Sequence, residues 1–297
     1  PIFVACADSH PEALASYAAD FDVKATYLDY REMMEKENLD IVSICSWDPQ
    51  HAEMTVAAAA YRPKVILTEK PMAISLGEGD AMIVACKRNE VKLAIGHQRR
   101  FFSSWTEARR LIADGAIGEV ERLWTGVRAG MMNTGTHGID FQAYAMSDCP
   151  AEWVMGSVER KTDHHIFGHR VEDRCCGLIG YANGATGVIE NELSGKYMVG
   201  ALLYGTKGMM DVQGNTLKYM NEDKAGWQVF DPPDKDDSGY GNAFVHQAYG
   251  ICEWIEDKVE DYRGSGQKGK AALEIMMAVY ESARVHERVQ LPLHARA

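Results

Sequence analysis

The chain has 297 residues, 46% hydrophobic and 25% charged, the composition of a globular protein with room for one large domain or two ordinary ones. Its formal charge of −12 argues against a general nucleic-acid or anionic-membrane binder, because phosphate-binding surfaces need clustered Lys and Arg. No apolar run approaches the roughly 18 residues of a membrane helix, and seven scattered cysteines without a CxxC point to a reduced, cytoplasmic setting.

The chain starts at Pro1 and enters an apolar run at once, residues 2–7. Further apolar runs follow at 41–45, 65–67 and 91–95, without the alternation of a half-exposed strand, as expected for parallel strands covered on both faces. Helical segments with start signals lie between them. Pro11 stands in a first turn with Glu12 beside it, Asp48-Pro49 opens a segment to Tyr61, and Ser75 with Glu78 forms a capping box for a helix ending near Arg88. Strand–helix repeats joined by short connections predict an α/β fold with a Rossmann-like, doubly wound parallel sheet.

Ligands bind such sheets at the carboxyl ends of their strands. The first run ends in Asp8-Ser9, where a carboxylate can accept hydrogen bonds from an adenosine ribose or simply cap the next helix. A ribose-binding Asp8 requires a glycine-rich phosphate loop roughly 20 residues upstream. No GxGxxG follows a strand in this sequence, and Gly77-Glu78-Gly79 belongs to a helix start. The other strand ends carry Ser46-Trp47-Asp48-Pro49-Gln50-His51, then Glu69-Lys70-Pro71, then Gly96-His97-Gln98-Arg99-Arg100-Phe101. Ile117-Gly118-Glu119-Val120, Asn133-Thr134-Gly135-Thr136-His137-Gly138-Ile139-Asp140 and a tail from Gly269-Lys270-Ala271 to Leu291-Pro292-Leu293 come later.

In this order, these segments resemble the Gfo/Idh/MocA oxidoreductases, the family of glucose–fructose oxidoreductase and inositol dehydrogenase, over nearly the whole chain. The resemblance implies a Rossmann domain over 1–97 and a second α/β domain over 98–297 with a large, mainly antiparallel sheet. The last helix, about 270–286, is expected to pack back on the first domain. It further implies that the first strand, the glycine loop and most of the first helix are missing from this sequence. NAD is the implied cofactor, with NADP as the alternative. A sugar, polyol or cyclitol is the implied substrate, and a homo-oligomer, dimer or tetramer, the implied assembly.

The chemistry of each candidate follows from its residue type. A lysine in a closed crevice beside a cationic nicotinamide has its pKa lowered by desolvation and like charge, so Lys70 can relay the proton of a reacting hydroxyl. His137 suits general acid–base work near neutral pH. The family pattern has aspartate where this chain has Asn133, which can orient a hydroxyl but carries neither proton nor charge. Asp140, one helical turn beyond His137, either binds a substrate hydroxyl or orients the histidine. Gln98 is expected to meet nicotinamide or substrate, His246 to reach the substrate pocket, and Arg99 and Arg100 to form structural ion pairs. Asp8, Ser9, Ser46, Trp47, Asp48, Gln50, His51, Glu69 and Lys70 are the expected cofactor contacts. For Trp47 a plain core position competes with that reading. Asp8 favours NAD, since a carboxylate repels a 2′-phosphate.

From about Glu119 the pattern changes to alternating segments at 122–128, 152–160, 175–181, 187–193 and 198–205, with an Asn183-Gly184 turn and a meander through Lys207-Gly208 and Gly214-Asn215. Helical spacing returns at 244–259 and 270–286, and the acidic stretch 231–237 reads as a solvated loop. His164, His165 and His169 with Asp163, Glu172 and Asp173 match no standard metal signature, so no metal is expected. The pairs Met33-Met34, Met131-Met132 and Met276-Met277 read as core filler. Two other activities stay open on this scaffold: NAD-dependent glycoside cleavage, and a dinucleotide-sensing regulator without enzymatic activity.

Overall fold

The computed structural model describes residues 2–166, 169–191, 199–233 and 242–293. The first region alternates strands β1 (Ala5–Ala7), β2 (Ala25–Tyr27), β3 (Ile41–Ile44), β4 (Val65–Thr68) and β5 (Lys92–Ile95) with helices α1 (Pro11–Asp20), α2 (Tyr30–Lys36), α3 (His51–Ala59) and α4 (Leu76–Arg88). Every strand pair here is parallel. Val65 and Ile66 of β4 are fully buried because helices cover the sheet, which is why these strands read as unbroken apolar runs.

The helix starts behave as their chemistry demands. Pro11 occupies the first turn of α1, and the Ser75 hydroxyl accepts from the Glu78 N–H at 3.3 Å. Glu78 returns its bond to the N–H of Ile74, 3.0 Å away, one residue earlier than the standard box. The short β2 and α2 lacked an apolar run to announce them; α2 is capped by Asp29, which accepts from the Arg31 N–H at 2.9 Å.

One expectation changes. The parallel strands form two sheets, β1–β2 and β3–β4–β5, and among the described residues no ladder joins them. The first strand is also shorter than the apolar run, since residues 2–4 lie outside the β1–β2 ladder and are exposed.

The second region contains α5 (Ser103–Ala113), β6 (Val120–Val127), α6 (Thr136–Ala145), β7 (Ala151–Glu159), the short hairpin β8 (His165–Ile166) and β9 (His169–Arg170), then β10 (Arg174–Tyr181), β11 (Thr186–Asn191), β12 (Val199–Gly205), β13 (Gly208–Gln213), β14 (Thr216–Asn221) and β15 (Lys224–Phe230). Helices α7 (Ala243–Ile255) and α8 (Gly266–Val285) and strand β16 (Val289–Gln290) complete it. Nine strands make one sheet in the order β15-β14-β13-β12-β6-β11-β10-β7-β16. All neighbours are antiparallel except β6 and β11, so the sheet is mixed and mostly antiparallel. The expected strand ends at 192–193 and 198, and residues 234–237 of the acidic stretch, lie outside the described residues.

Helix α8 runs between the large sheet and the β3–β5 sheet. A side chain at Gly156 of β7 would run into the Val279 carbonyl, so glycine permits this close approach, and the Gly156 N–H donates to the Ser282 hydroxyl at 2.8 Å. On its other side Gly269 sits against Ile95 and Leu273 against Gly79, while Lys270 pairs with Asp80. One buried apolar cluster therefore spans both regions through Ile66, Ile95, Leu273, Met276, Val279 and Ile189. Met33, Met34, Met131 and Met276 are buried in it.

Candidate active site

The loops after β3, β4 and β5 share one end of their sheet. The ladder continues just beyond the strands, with the Glu69 N–H donating to Ile44 O at 2.9 Å and the Gly96 N–H to Thr68 O at 2.8 Å. The Glu69 carboxylate fills the space over Gly96, where a Cβ would lie 2.8 Å from Glu69 Oε1. Lys70 follows and points away from its own strand into the second region. Its Nζ donates to Asn133 O at 3.1 Å and to Asn133 Oδ1 at 3.0 Å.

Asn133 is delivered by an unusual piece of backbone. After β6 the chain passes through Ala129 and Gly130 at φ 63° and 82°, both in the left-handed region. It then makes a wide π-type turn over Met131–Gly135, closed by the Gly135 N–H on Gly130 O at 3.1 Å, and α6 begins. His137 stands in the first turn of α6 with 3% exposure, and its Nδ1 has no hydrogen-bond partner. The His97 ring lies edge-on to it, centroids 5.9 Å apart.

The electrostatics of this group share one physical origin. Burial pulls the Lys70 ammonium below the usual lysine range; Glu69 and Asp48 oppose this and Arg99 reinforces it. Burial also drives His137 well below the usual histidine range, helped by the charges of Arg99, His97 and Lys70. His97 moves down for the same first reason, partly offset by Asp140. Near neutral pH both histidines are therefore neutral imidazoles inside a cationic surrounding.

A second polar cluster adjoins the first. Arg100, fully buried, donates through Nε to both Asp140 oxygens at 2.8 and 2.9 Å and through a terminal nitrogen to Arg263 O at 2.9 Å, and it forms an ion pair with Asp148 Oδ1 at 2.7 Å. Burial works against its charge, yet the two carboxylates outweigh burial and its pKa rises. His97 Nδ1 lies 3.3 Å from Asp140 Oδ1, and its Nε2 meets the Thr136 hydroxyl at 2.8 Å.

This cluster corrects two expectations. Asp140 is completely buried and committed to Arg100, so it does not offer a carboxylate to a substrate, and the histidine it faces is His97, not His137. His246 does not join Lys70 and His137. It lies on α7 beside Phe101 O, 3.5 Å away, in a separate groove lined by Tyr249, Tyr262 and Arg263.

The remaining candidates divide by position. Gln98 is buried with a partnerless Oε1, and Ser46 Oγ is likewise buried and unpartnered. Such atoms on the loops after β3 and β5 are what a bound polar group would satisfy, so the residues present fit a dinucleotide at this end of the sheet. Asp48 opens the turn after Trp47 and acts electrostatically on Lys70. Trp47 is 61% exposed, which removes the core reading, and Gln50 is exposed beside it. His51 is not open to a ligand: its ring nitrogens lie 2.8 Å from Pro71 O and 2.9 Å from Ser46 O, tying the loops after β3 and β4 together. Asp8 and Ser9 are exposed at the end of β1, and Asp8 accepts from the His10 N–H at 2.8 Å. Among the described residues no group of three or more His, Cys, Asp or Glu is placed to hold a metal ion.

Sequence reasoning passed over three residues. His97 stands between the two clusters, and its only signal is a place beside Gly96 at a strand end. Arg99, read only as a structural cation, acts on both Lys70 and His137. Glu172, grouped with neighbouring histidines as a rejected metal cluster, is buried under the turn that carries Asn133.

Residues 3–97 match the Gfo/Idh/MocA family model, described as "Oxidoreductase family, NAD-binding Rossmann fold". The resemblance read from the sequence is thus matched over the first third of the chain. Myo-inositol 2-dehydrogenase of Thermotoga maritima is 26% identical over 223 residues, 70% of this chain and 66% of that protein, so the match spans about two thirds of the relative. Inositol 2-dehydrogenase of Rhizobium meliloti is 24% identical across 97% of this chain and 91% of its own. Among solved structures, levoglucosan dehydrogenase in complex with NADH and levoglucosan superposes with a TM-score of 0.87 at 21% identity, covering 99% of this chain and 91% of that one, a likeness of fold. No helix among the described residues is long and apolar enough to cross a membrane.

Proposed function

We propose that this Gfo/Idh/MocA protein is an NAD-dependent oxidoreductase interconverting a secondary alcohol and a ketone on a sugar, polyol or cyclitol. The observation that carries the reading is Lys70, half-buried at a strand's carboxyl end with two N–H bonds committed to Asn133, beside a buried His137 whose Nδ1 is open. The family model is NAD-binding, and the relatives quoted above are named for inositol and levoglucosan.

NAD would be held by the loop from Ser46 to Gln50, by Glu69 and Lys70, and by Gln98, with Asp8 and Ser9 toward the adenosine ribose. When bound, it supplies the acceptor or donor of the hydride exchanged with the substrate carbon. Lys70 handles the proton. With two hydrogens on Asn133, the third position on Nζ is left for the reacting oxygen, and its lowered pKa lets the neutral amine take the hydroxyl proton or the ammonium return it. His137, neutral near pH 7, is the second proton-handling group, and Asn133 orients both Lys70 and a substrate hydroxyl.

The reading extends to a homo-oligomer in a reducing cytoplasm. All seven cysteines are free, and Met155, Tyr204, Met220, Trp227 and Val229 are exposed on the large sheet. A fluorescence titration with NADH and NADPH, followed by a polyol and sugar panel monitored by NADH formation, tests the central claim. Wild type and Lys70→Met should both bind NADH, the variant through the remaining loop residues, and Lys70→Met should turn over about 10²–10⁴-fold more slowly. Absence of NADH binding, or full turnover by Lys70→Met, overturns it.

A further inference from the structure

Glu172 is 2% exposed, and among the described residues it has no Lys or Arg in ion-pair contact. Its partners are three neutral donors from three elements. Oε1 accepts from the Met131 N–H at 2.6 Å and from Asn191 Nδ2 at 2.9 Å, and Oε2 from the Tyr280 hydroxyl at 3.0 Å. Asn191 ends β11 and receives the Cys175 N–H on its own oxygen, while Tyr280 belongs to α8. The carboxylate is therefore tied to sheet and helix on one side and presents an acceptor to the Met131 N–H on the other. Its neighbour Asp173 points outward and accepts from Lys161 and Thr162, so the chain turns only Glu172 inward.

Met131 is the first residue of the wide turn, two residues before Asn133. The turn is entered through two consecutive left-handed residues, one of them Ala129, which carries a Cβ. Such backbone persists where its surroundings over-determine it. A buried carboxylate on the first N–H of the turn is a determinant of that kind, since a charge-assisted bond to a backbone amide is roughly twice as strong as a neutral one.

We propose that Glu172 is a positioning residue for the Lys70–Asn133 pair: by holding the Met131 amide it sets the turn that aims both Asn133 oxygens at Lys70 Nζ. This rests on the function proposed above. The role is indirect, because Glu172 touches neither Lys70 nor Asn133 in the described contacts, and it works through the backbone between them.

A double-mutant cycle tests it. Glu172→Ala should lower kcat by about 10–100-fold, the scale of a small misplacement at a reacting centre, with NADH affinity by fluorescence within about twofold of wild type. Combined with Asn133→Ala, it should cost clearly less than it does in wild type, because Asn133→Ala has already removed one of the two oxygens that the turn aims at Lys70. Tyr280→Phe, which leaves the Met131 bond intact, should stay within about threefold. Glu172→Asp keeps the buried charge and should fold where alanine does not, yet it draws the carboxylate back from Met131 and should give a partial loss of kcat. Additive losses in the cycle, or a wild-type kcat in both Glu172 variants, overturn the proposal. Hydrogen exchange at residues 130–137 gives a readout without turnover: faster exchange in both Glu172 variants supports the clamp, and unchanged exchange overturns it. If wild type oxidises no polyol, the functional reading fails while the exchange result still decides the clamp.

Discussion

Two polar groups, one buried and one partly so, lie side by side in this molecule, and they are built on opposite terms. In the Arg100–Asp140–Asp148 cluster, with His97 against Asp140, charge meets charge, and Arg100 is matched on several sides by carboxylates and a carbonyl. In the Lys70–Asn133–His137 group, burial is as deep at the histidine but the matching is incomplete: Lys70 has acceptors for two of its three hydrogens, and His137 Nδ1 has no partner. Burying a polar group without a partner costs about 1–3 kcal/mol, and under the function proposed above a bound ligand would complete the Lys70 group. Saturation stabilises a fold, and the vacant hydrogen-bonding positions are where chemistry can enter.

The comparison breaks most directly through Lys70. Lys70→Met should cut kcat by about 10²–10⁴-fold, the range for a positioned acid–base group, without lowering the urea midpoint, since the variant removes a desolvated charge. A lower midpoint with normal kcat would assign Lys70 to the structural cluster. The converse holds for Asp140. Asp140→Ala leaves the Arg100 charge buried and should destabilise the protein by about 3–5 kcal/mol in urea unfolding, whereas a normal midpoint with a raised KM would return Asp140 to the substrate.

Smaller effects sharpen the contrast. His97 and His137 are buried with lowered pKa values, so the unfolded chain binds protons near pH 6.5 that the folded chain refuses. Their contribution to stability is full above that pH and is lost on acidification, by up to about 1.4 kcal/mol per pH unit for each histidine. His137→Gln should flatten the slope by about one histidine's share, as measured by urea unfolding from pH 7 to 5, and lower kcat by about 10–100-fold. Arg99→Gln should give the smallest change. Removing a cation that lowers Lys70 raises its pKa, so the ascending limb of the pH–rate profile for alcohol oxidation should move to higher pH by less than about one unit. A shift to lower pH would show that Arg99 acts on that limb through some other group.

The clusters were unequally legible in the sequence. Lys70 stood out because its signal is local: an apolar strand running into Glu-Lys-Pro. Asn133 and His137 were found through the order of motifs that carries the family resemblance. Asp140 was misread because its spacing from His137 allows a shared helical face, but cannot say that Arg100, 40 positions earlier, occupies that face. His246 failed similarly, since a helical pattern does not reveal which groove α7 borders. Glu172 was invisible as a clamp because its partners at Met131, Asn191 and Tyr280 are far apart in the chain.

The sequence by itself determined the strand–helix alternation of the first region, the alternating strands of the second, and the motifs at the strand ends. Each depends on periodicity or a short contiguous pattern, and the solvent-facing sides of strands and helices impose such patterns directly. Only the tertiary structure decided which buried polar groups are satisfied and which are left open. Lys70 and Asn133 are 63 positions apart and meet through one nitrogen and two oxygens. Hydrogen-bond matching of that kind depends on ångström-scale placement of distant segments, which the order of residues along the chain does not display.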